Sequence, residues 1–215
     1  MIIDAGANVG DFTIRASNWV GDSGTVVAIE PIPEHVTILK RNLTRNRISN
    51  VVVVERAVGD REEVVEIEGR KVRTVSMDGL LDDLKISRVD SVKLDVEGAE
   101  GLALRGGRRM VRQARHFSVE THSDELYGEV ASTLTSEGFA VRQFSISSLV
   151  KRMAIRFLNN PAPFLFAERA RIRAWDSTGG PIAWKVAKWL SYRRKPDWFS
   201  EQSGLILLAA DRDLT

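Results

Sequence analysis

The sequence has no cysteine, which removes disulfides, thiolate metal sites and cysteine nucleophiles from consideration. Histidine is scarce as well, with three in 215 residues, so each candidate imidazole base can be weighed singly. No apolar run approaches the roughly 18 residues that cross a bilayer, and no signal peptide is visible. Cytoplasmic residence is the resulting expectation. Charge of one sign is lacking overall, because the net balance is only +2. What remains is a 43% hydrophobic, 28% charged chain, enough to bury a full core as a single domain over 1–215 with one excursion.

The organising stretch is the first ten residues, Met1 to Gly10. A short apolar run ends on Asp4, turns on Ala5, Gly6, Ala7 and Asn8, and opens into a helix on which Val9, Phe12, Ala16 and Trp19/Val20 recur. Gly21 and Gly24 close that helix. Such a strand, glycine turn and helix start presents a nucleotide-like ligand in a doubly wound sheet. Gly6 allows close backbone approach to the ligand, and the helix N-terminus offers N–H groups to an anion. The pattern Asp-x-Gly-x-x-x-Gly lacks the middle glycine of Gly-x-Gly-x-x-Gly, which serves a pyrophosphate, and this counts against a dinucleotide. A nicotinamide-dependent oxidoreductase is therefore disfavoured.

Thr25 to Ile29 is a β-branched strand ending on Glu30-Pro31. An acid at this strand end can accept both hydrogen bonds of a ribose diol. Pro33 suits the first turn of the next helix, Glu34 to Asn46, with Val36, Leu39 and Leu43 inward. Val51 to Val54 is a continuous apolar run, expected to be a strand covered on both faces. At Ala57, Val58, Gly59 and Asp60 an adenine can lie against Val58, with Ile32 on its other face; ordinary core packing is the alternative. A ribose acceptor without a pyrophosphate site suggests S-adenosylmethionine. Arg61 to Val75 alternates around Gly69 as a surface hairpin, and Met77 to Leu84 is a short helix.

Val89 to Asp95 is the fourth core strand and runs into Val96-Glu97-Gly98-Ala99-Glu100. Period two places Lys93 and Asp95 on one side. Charges in a central strand are costly unless they are paired or face a site. Asp95 and Glu97 are accordingly expected at the reactive end of the cofactor, or else paired with Lys93 and capping the next helix. Phe117 to Thr121 delivers Glu120 and His122 to the same rim, where His122 is a candidate base; His35 and His116 read as surface residues. Ser123 caps a helix carrying Leu126, Val130 and Leu134 and ending at Gly138. Phe139 to Phe144 and Gly204 to Ala210 are the last two strands. No metal site is apparent.

Taken together, Asp4-Ala5-Gly6-Ala7-Asn8-Val9-Gly10, Ala28-Ile29-Glu30-Pro31, Ala57-Val58-Gly59-Asp60, Lys93 to Glu100 and Val119-Glu120-Thr121-His122 resemble the FkbM-type branch of class I S-adenosylmethionine methyltransferases. The resemblance covers roughly residues 1–143 and the closing strand. It implies a Rossmann-like, doubly wound, mostly parallel α/β sheet with an antiparallel last strand. It also implies S-adenosyl-L-methionine as cofactor and methyl transfer to a hydroxyl of a sugar, glycan or natural-product-like acceptor. Asp4, Gly6, Ala7, Asn8, Gly10, Glu30, Pro31, Ile32, Ala57 and Val58 become the candidate cofactor residues, and Asp95, Glu97 and His122 the catalytic ones. The tetrapeptide by which amino-methylating nucleic-acid enzymes hold an exocyclic amine is missing after the fourth strand, so nucleic acid is not the expected partner. The chain starts inside the first strand, which suggests a late start, a truncated or non-catalytic binding module, or a site covered by the later excursion.

That excursion, residues 144–203, carries +7 against −5 for the rest of the chain, and four of the five tryptophans. Pro181 to Tyr192 reads as a basic helix with Ile182, Val186 and Trp189 on one face and Trp184 on the other. A helical insertion of this kind can border the acceptor pocket and meet an anionic membrane surface or lipid-linked acceptor, or can pack as a simple lid.

Overall fold

The computed structural model of the chain describes residues 1–145 and 206–211. Strand β1 (Ile2–Ala5) leads through the glycine turn into helix α1 (Asp11–Val20), then β2 (Val26–Ile29), α2 (Pro33–Arg45) and β3 (Val51–Val54). There follow β4 (Ala57–Gly59), β5 (Val64–Ile67), β6 (Arg70–Ser76) and α3 (Met77–Asp83). The second half holds β7 (Ser91–Leu94), α4 (Glu100–Arg105), α5 (Arg108–Gln113), β8 (His116–Thr121), α6 (Asp124–Ser136), β9 (Ala140–Ser145) and β10 (Ile206–Asp211).

Seven strands form one sheet in the order β3-β2-β1-β7-β8-β10-β9. All pairings are parallel except those of β10, which runs antiparallel to both β8 and β9. The fold is thus the expected Rossmann-like α/β sheet with its antiparallel last strand. Ala5 stands level with Ile29 on one side and Leu94 on the other. The chain therefore leaves β2, β1 and β7 side by side, at Glu30, Gly6 and Asp95. Strand order reverses between β1 and β7, and sheets of this kind open their ligand crevice at that place.

Both faces are covered. One carries the main core, where Ile3, Ile29, Leu94 and Val119 meet Met77, Leu81, Met110 and Leu134. The other is smaller and packs Ala7 and Ala28 on Leu39 and Leu43 of α2. Each large side chain fully buried here contributes about 1.5–3 kcal/mol. Ser123 caps α6 as expected, its Oγ accepting from the Leu126 N–H at 3.1 Å, and Gly138 ends it at φ +85°.

Three details differ from the sequence reading. The valine run of β3 is not covered on both faces, because β3 is the outer strand of the sheet and Val52 is 38% exposed. Helix α1 does not bury its aromatic stripe. Thr13, Ala16 and Ser17 face the sheet, while Phe12 and Trp19 stack edge to face at 5.6 Å farther out. Small residues let the helix lie close to the strands beside the glycine turn. The hairpin β5–β6 forms as expected around Gly69, but β6 also pairs in parallel with β4 as a separate three-stranded sheet.

Among the described residues no helix is long and apolar enough to cross a membrane. Strand β9 reaches Ser145, and the expected insertion beyond it, with the Pro181–Tyr192 helix and Trp184, lies outside the described residues.

Candidate functional site

The turn after β1 is held by its neighbours. Gly6 and Ala7 both donate N–H bonds to the Ile29 carbonyl at 3.0 Å. A β-carbon on Gly6 would fall 1.8 Å from the Asp95 carbonyl oxygen, and the residue sits at φ +78°. Glycine is thus demanded by the adjoining strand end, with or without a ligand. Gly10, at φ +93°, is similarly pressed against Leu39, and α1 starts there with no side-chain cap. Its first-turn N–H groups have no intrahelical partners and suit an anionic group. Asn8 is exposed and takes a left-handed conformation at φ +49°.

Glu30 is no solvated strand-end acid. It is 5% exposed; Oε2 accepts from the Asn8 N–H at 2.8 Å and Oε1 from the Ile32 N–H at 3.0 Å. The carboxylate thereby ties the glycine turn to the start of α2. It keeps lone pairs for a diol, since each carboxylate oxygen can accept more than one bond. His35, expected at the surface, sits beside it with Nδ1 3.2 Å from Oε1. Pro31 is half-buried, and Ile32 and Val58 are 7% and 6% exposed, Val58 within the main core beside Ala57 at 6%.

Asp4 is wholly buried at the end of β1. Thr13 Oγ1 donates to its Oδ2 at 2.6 Å, and Lys93 Nζ lies 3.3 Å from its Oδ1. The same ammonium reaches Asp95 Oδ2 at 3.3 Å and donates to the Gly6 carbonyl at 3.3 Å. It also stands over the Phe12 ring, 5.7 Å from its centroid. Burial, the largest single influence, works to lower the Lys93 pKa, but Asp4 and Asp95 together raise it above the ordinary lysine value. The lysine is therefore a fixed cation joining β1 and β7, as period two required.

Beyond Lys93 the three catalytic candidates converge. Ligating atoms of Asp95, Glu97 and His122 all lie within 4.8 Å of one another, with His122 Nε2 3.7 Å from Glu97 Oε2. Glu97 is 86% exposed on a left-handed turn with Gly98, at φ +51° and +100°. His122 Nε2 is enclosed by protein and has no hydrogen-bond partner.

Sequence reasoning passed over Glu100, which is wholly buried. Its Oε1 accepts from the N–H groups of Val96 at 3.0 Å and Gly98 at 3.4 Å, holding the loop that carries Glu97. Desolvation raises its pKa, opposed by those backbone bonds and by nearby His122. The available signal was an acid in the first turn of a helix after a glycine, where a loop-facing carboxylate satisfies orphan N–H groups.

The family described as "Methyltransferase FkbM domain" matches residues 4–141. A curated relative, the probable cobalt-precorrin-6B C(15)-methyltransferase (decarboxylating) of Sulfurisphaera tokodaii, is 31% identical over 77 residues. That match spans 36% of this chain and 38% of the relative's own length. The structure of methyltransferase FkbM from Methylobacillus flagellatus KT aligns at TM-score 0.57 and 20% identity, over 66% of this chain and 39% of that one. Precorrin-6y C5,15-methyltransferase from Geobacter metallireducens GS-15 aligns at TM-score 0.52 and 14% identity, over 99% and 79%. At such identities both structures speak for the fold.

Proposed function

Because the chain belongs to the FkbM methyltransferase domain family, we propose that it moves a methyl group from S-adenosyl-L-methionine to a hydroxyl oxygen of a sugar, glycan or natural-product-like acceptor. The observation that carries this reading is the convergence of Asp95, Glu97 and His122 at the strand-end rim beside the glycine turn. The cofactor supplies a methyl carbon already activated by a sulfonium. Residues of the chain fit it: a glycine turn where a β-carbon has no room, an uncapped helix start for a carboxylate, and a buried Glu30 for the ribose hydroxyls. Asp4 and Asp95 place negative charge near the crevice. With the cofactor bound, an acceptor oxygen would take the methyl group while the carbon–sulfur bonding pair stays with sulfur, and the Asp95, Glu97 and His122 group would accept the hydroxyl proton. Proton transfer of this kind adds roughly 10²–10⁴-fold; alignment of the two reactants supplies much of the remainder.

A carbon acceptor is the second reading, favoured by the name of the Sulfurisphaera tokodaii relative. Calorimetry with S-adenosylhomocysteine and NAD is the direct test. One S-adenosylhomocysteine per chain and no NAD is the expected result, and binding of NAD alone would overturn the proposal. Methylated product, analysed by NMR, distinguishes an O-methyl from a C-methyl group.

A further inference from the structure

We infer that Asp95, Glu97 and His122 form a binding site for one divalent cation of the Mn²⁺ or Zn²⁺ type. Two carboxylates and an imidazole are hard and borderline donors, which together suit such ions better than Ca²⁺ or Cu⁺. Ligands of a six-coordinate ion at about 2.1 Å stand roughly 3.0–4.2 Å apart. Here the three donor atoms lie within 4.8 Å, and His122 Nε2 and Glu97 Oε2 are at 3.7 Å. The His122–Glu97 pair already falls in that range.

Two further observations point to a cation. His122 Nε2 is enclosed and has no hydrogen-bond partner, although it faces a carboxylate. Glu100, 0% exposed, holds the loop that carries Glu97 through its Oε1 and leaves its buried Oε2 with no hydrogen-bond partner. Lys93 steadies Asp95 from the strand side, as outer partners commonly orient ligands. Its charge is shared with Asp4, so carboxylates remain in excess at the rim. Three protein ligands would leave further positions of a six-coordinate ion for water or an acceptor. With the ion bound, its three ligands no longer take the acceptor proton, which passes to solvent instead. This use of the ion, making an acceptor hydroxyl more acidic, rests on the methyl-transfer reading, whereas the binding itself does not.

The test is an Mn²⁺ titration of the full chain followed by electron paramagnetic resonance, with Zn²⁺ as competitor. One Mn²⁺ per chain is expected, weakened roughly tenfold or more by Glu97→Gln and by His122→Ala. Glu97→Gln alters an exposed side chain and keeps the fold, so its result stands even if His122→Ala is unstable. S-adenosylhomocysteine affinity, measured in parallel, should stay within about twofold, because Glu30 and the glycine turn assigned to that ligand are left unchanged. No saturable binding at millimolar Mn²⁺ or Zn²⁺, or binding unchanged in Glu97→Gln, overturns the site. Cofactor binding without the metal would then leave the methyltransferase reading in place, and metal binding without the cofactor would leave only the site.

Discussion

The two halves of the crevice hold their carboxylates in opposite ways. On the β1–β2 side, Asp4 and Glu30 are buried and bonded to backbone and side-chain donors. On the β7–β8 side, Glu97 stands in solvent and His122 Nε2 lacks a hydrogen bond. The first half is a finished scaffold into which a constant ligand can fit without rearrangement. The second keeps one unsatisfied imidazole nitrogen and one exposed carboxylate, as a rim does when its partner varies. Lys93 belongs to both, with Asp4 on one side and Asp95 on the other.

That contrast can be broken most severely at Lys93. Lys93→Met leaves Asp4 buried without its counter-charge and should lower stability by about 3–5 kcal/mol, read as an earlier urea midpoint; an unchanged midpoint would mean that the Lys93–Asp4 pair contributes nothing to stability. Next come paired glycines, one from each half. Gly6→Ala should cost about 3 kcal/mol or more, since a left-handed residue is added to a backbone clash. Gly98→Ala, with nothing within 4 Å of the added carbon, should cost only about 1–2 kcal/mol. Equal losses in thermal unfolding would show that the two turns are equally constrained. Glu30→Ala should weaken S-adenosylhomocysteine by about 1.5–3 kcal/mol, and wild-type affinity in a folded variant would exclude the ribose from this place.

The smallest effect is a slope. Burial raises the Glu100 pKa in the folded state, so its stabilising contribution is complete below the unfolded carboxyl value and fades as pH rises through the folded one. Glu100→Gln keeps an oxygen for the Val96 and Gly98 N–H groups and carries no charge. Its stability, relative to wild type, should therefore rise between acid and neutral pH in denaturant titrations. A parallel pair of curves would mean that burial leaves the Glu100 pKa at its unfolded value.

Much of the scaffolded half was legible beforehand, because local rules govern it. The glycine turn, the acid at the end of β2 and the alternation of β5–β6 each leave a mark within a few residues. The edge position of β3 was not legible, since four valines look alike whether a strand is central or outermost. Nor was the meeting of His35 with Glu30, which depends on how α2 departs from Pro31. The meeting of Asp95, Glu97 and His122 at one rim was expected from their places at two strand ends. The register that sets it, Leu94 level with Val119, carries no mark in the sequence. Glu100 was missed for the opposite reason, since a helix-initial acid usually lies in water and this one is sealed by the packing of α4.

Strand β10 fills the gap between β8 and β9, yet residues 146–205 separate it from β9 along the chain. On the ribosome, β8 and β9 must therefore wait, each with an open hydrogen-bonding edge, until that whole stretch has been translated. At about 5–20 residues per second the wait lasts several seconds. Open edges of this sort recruit strands from other chains. The order of synthesis thus sets a window in which nascent chains of this protein are most exposed to mispairing, and it closes only when Ile206–Asp211 slots into place.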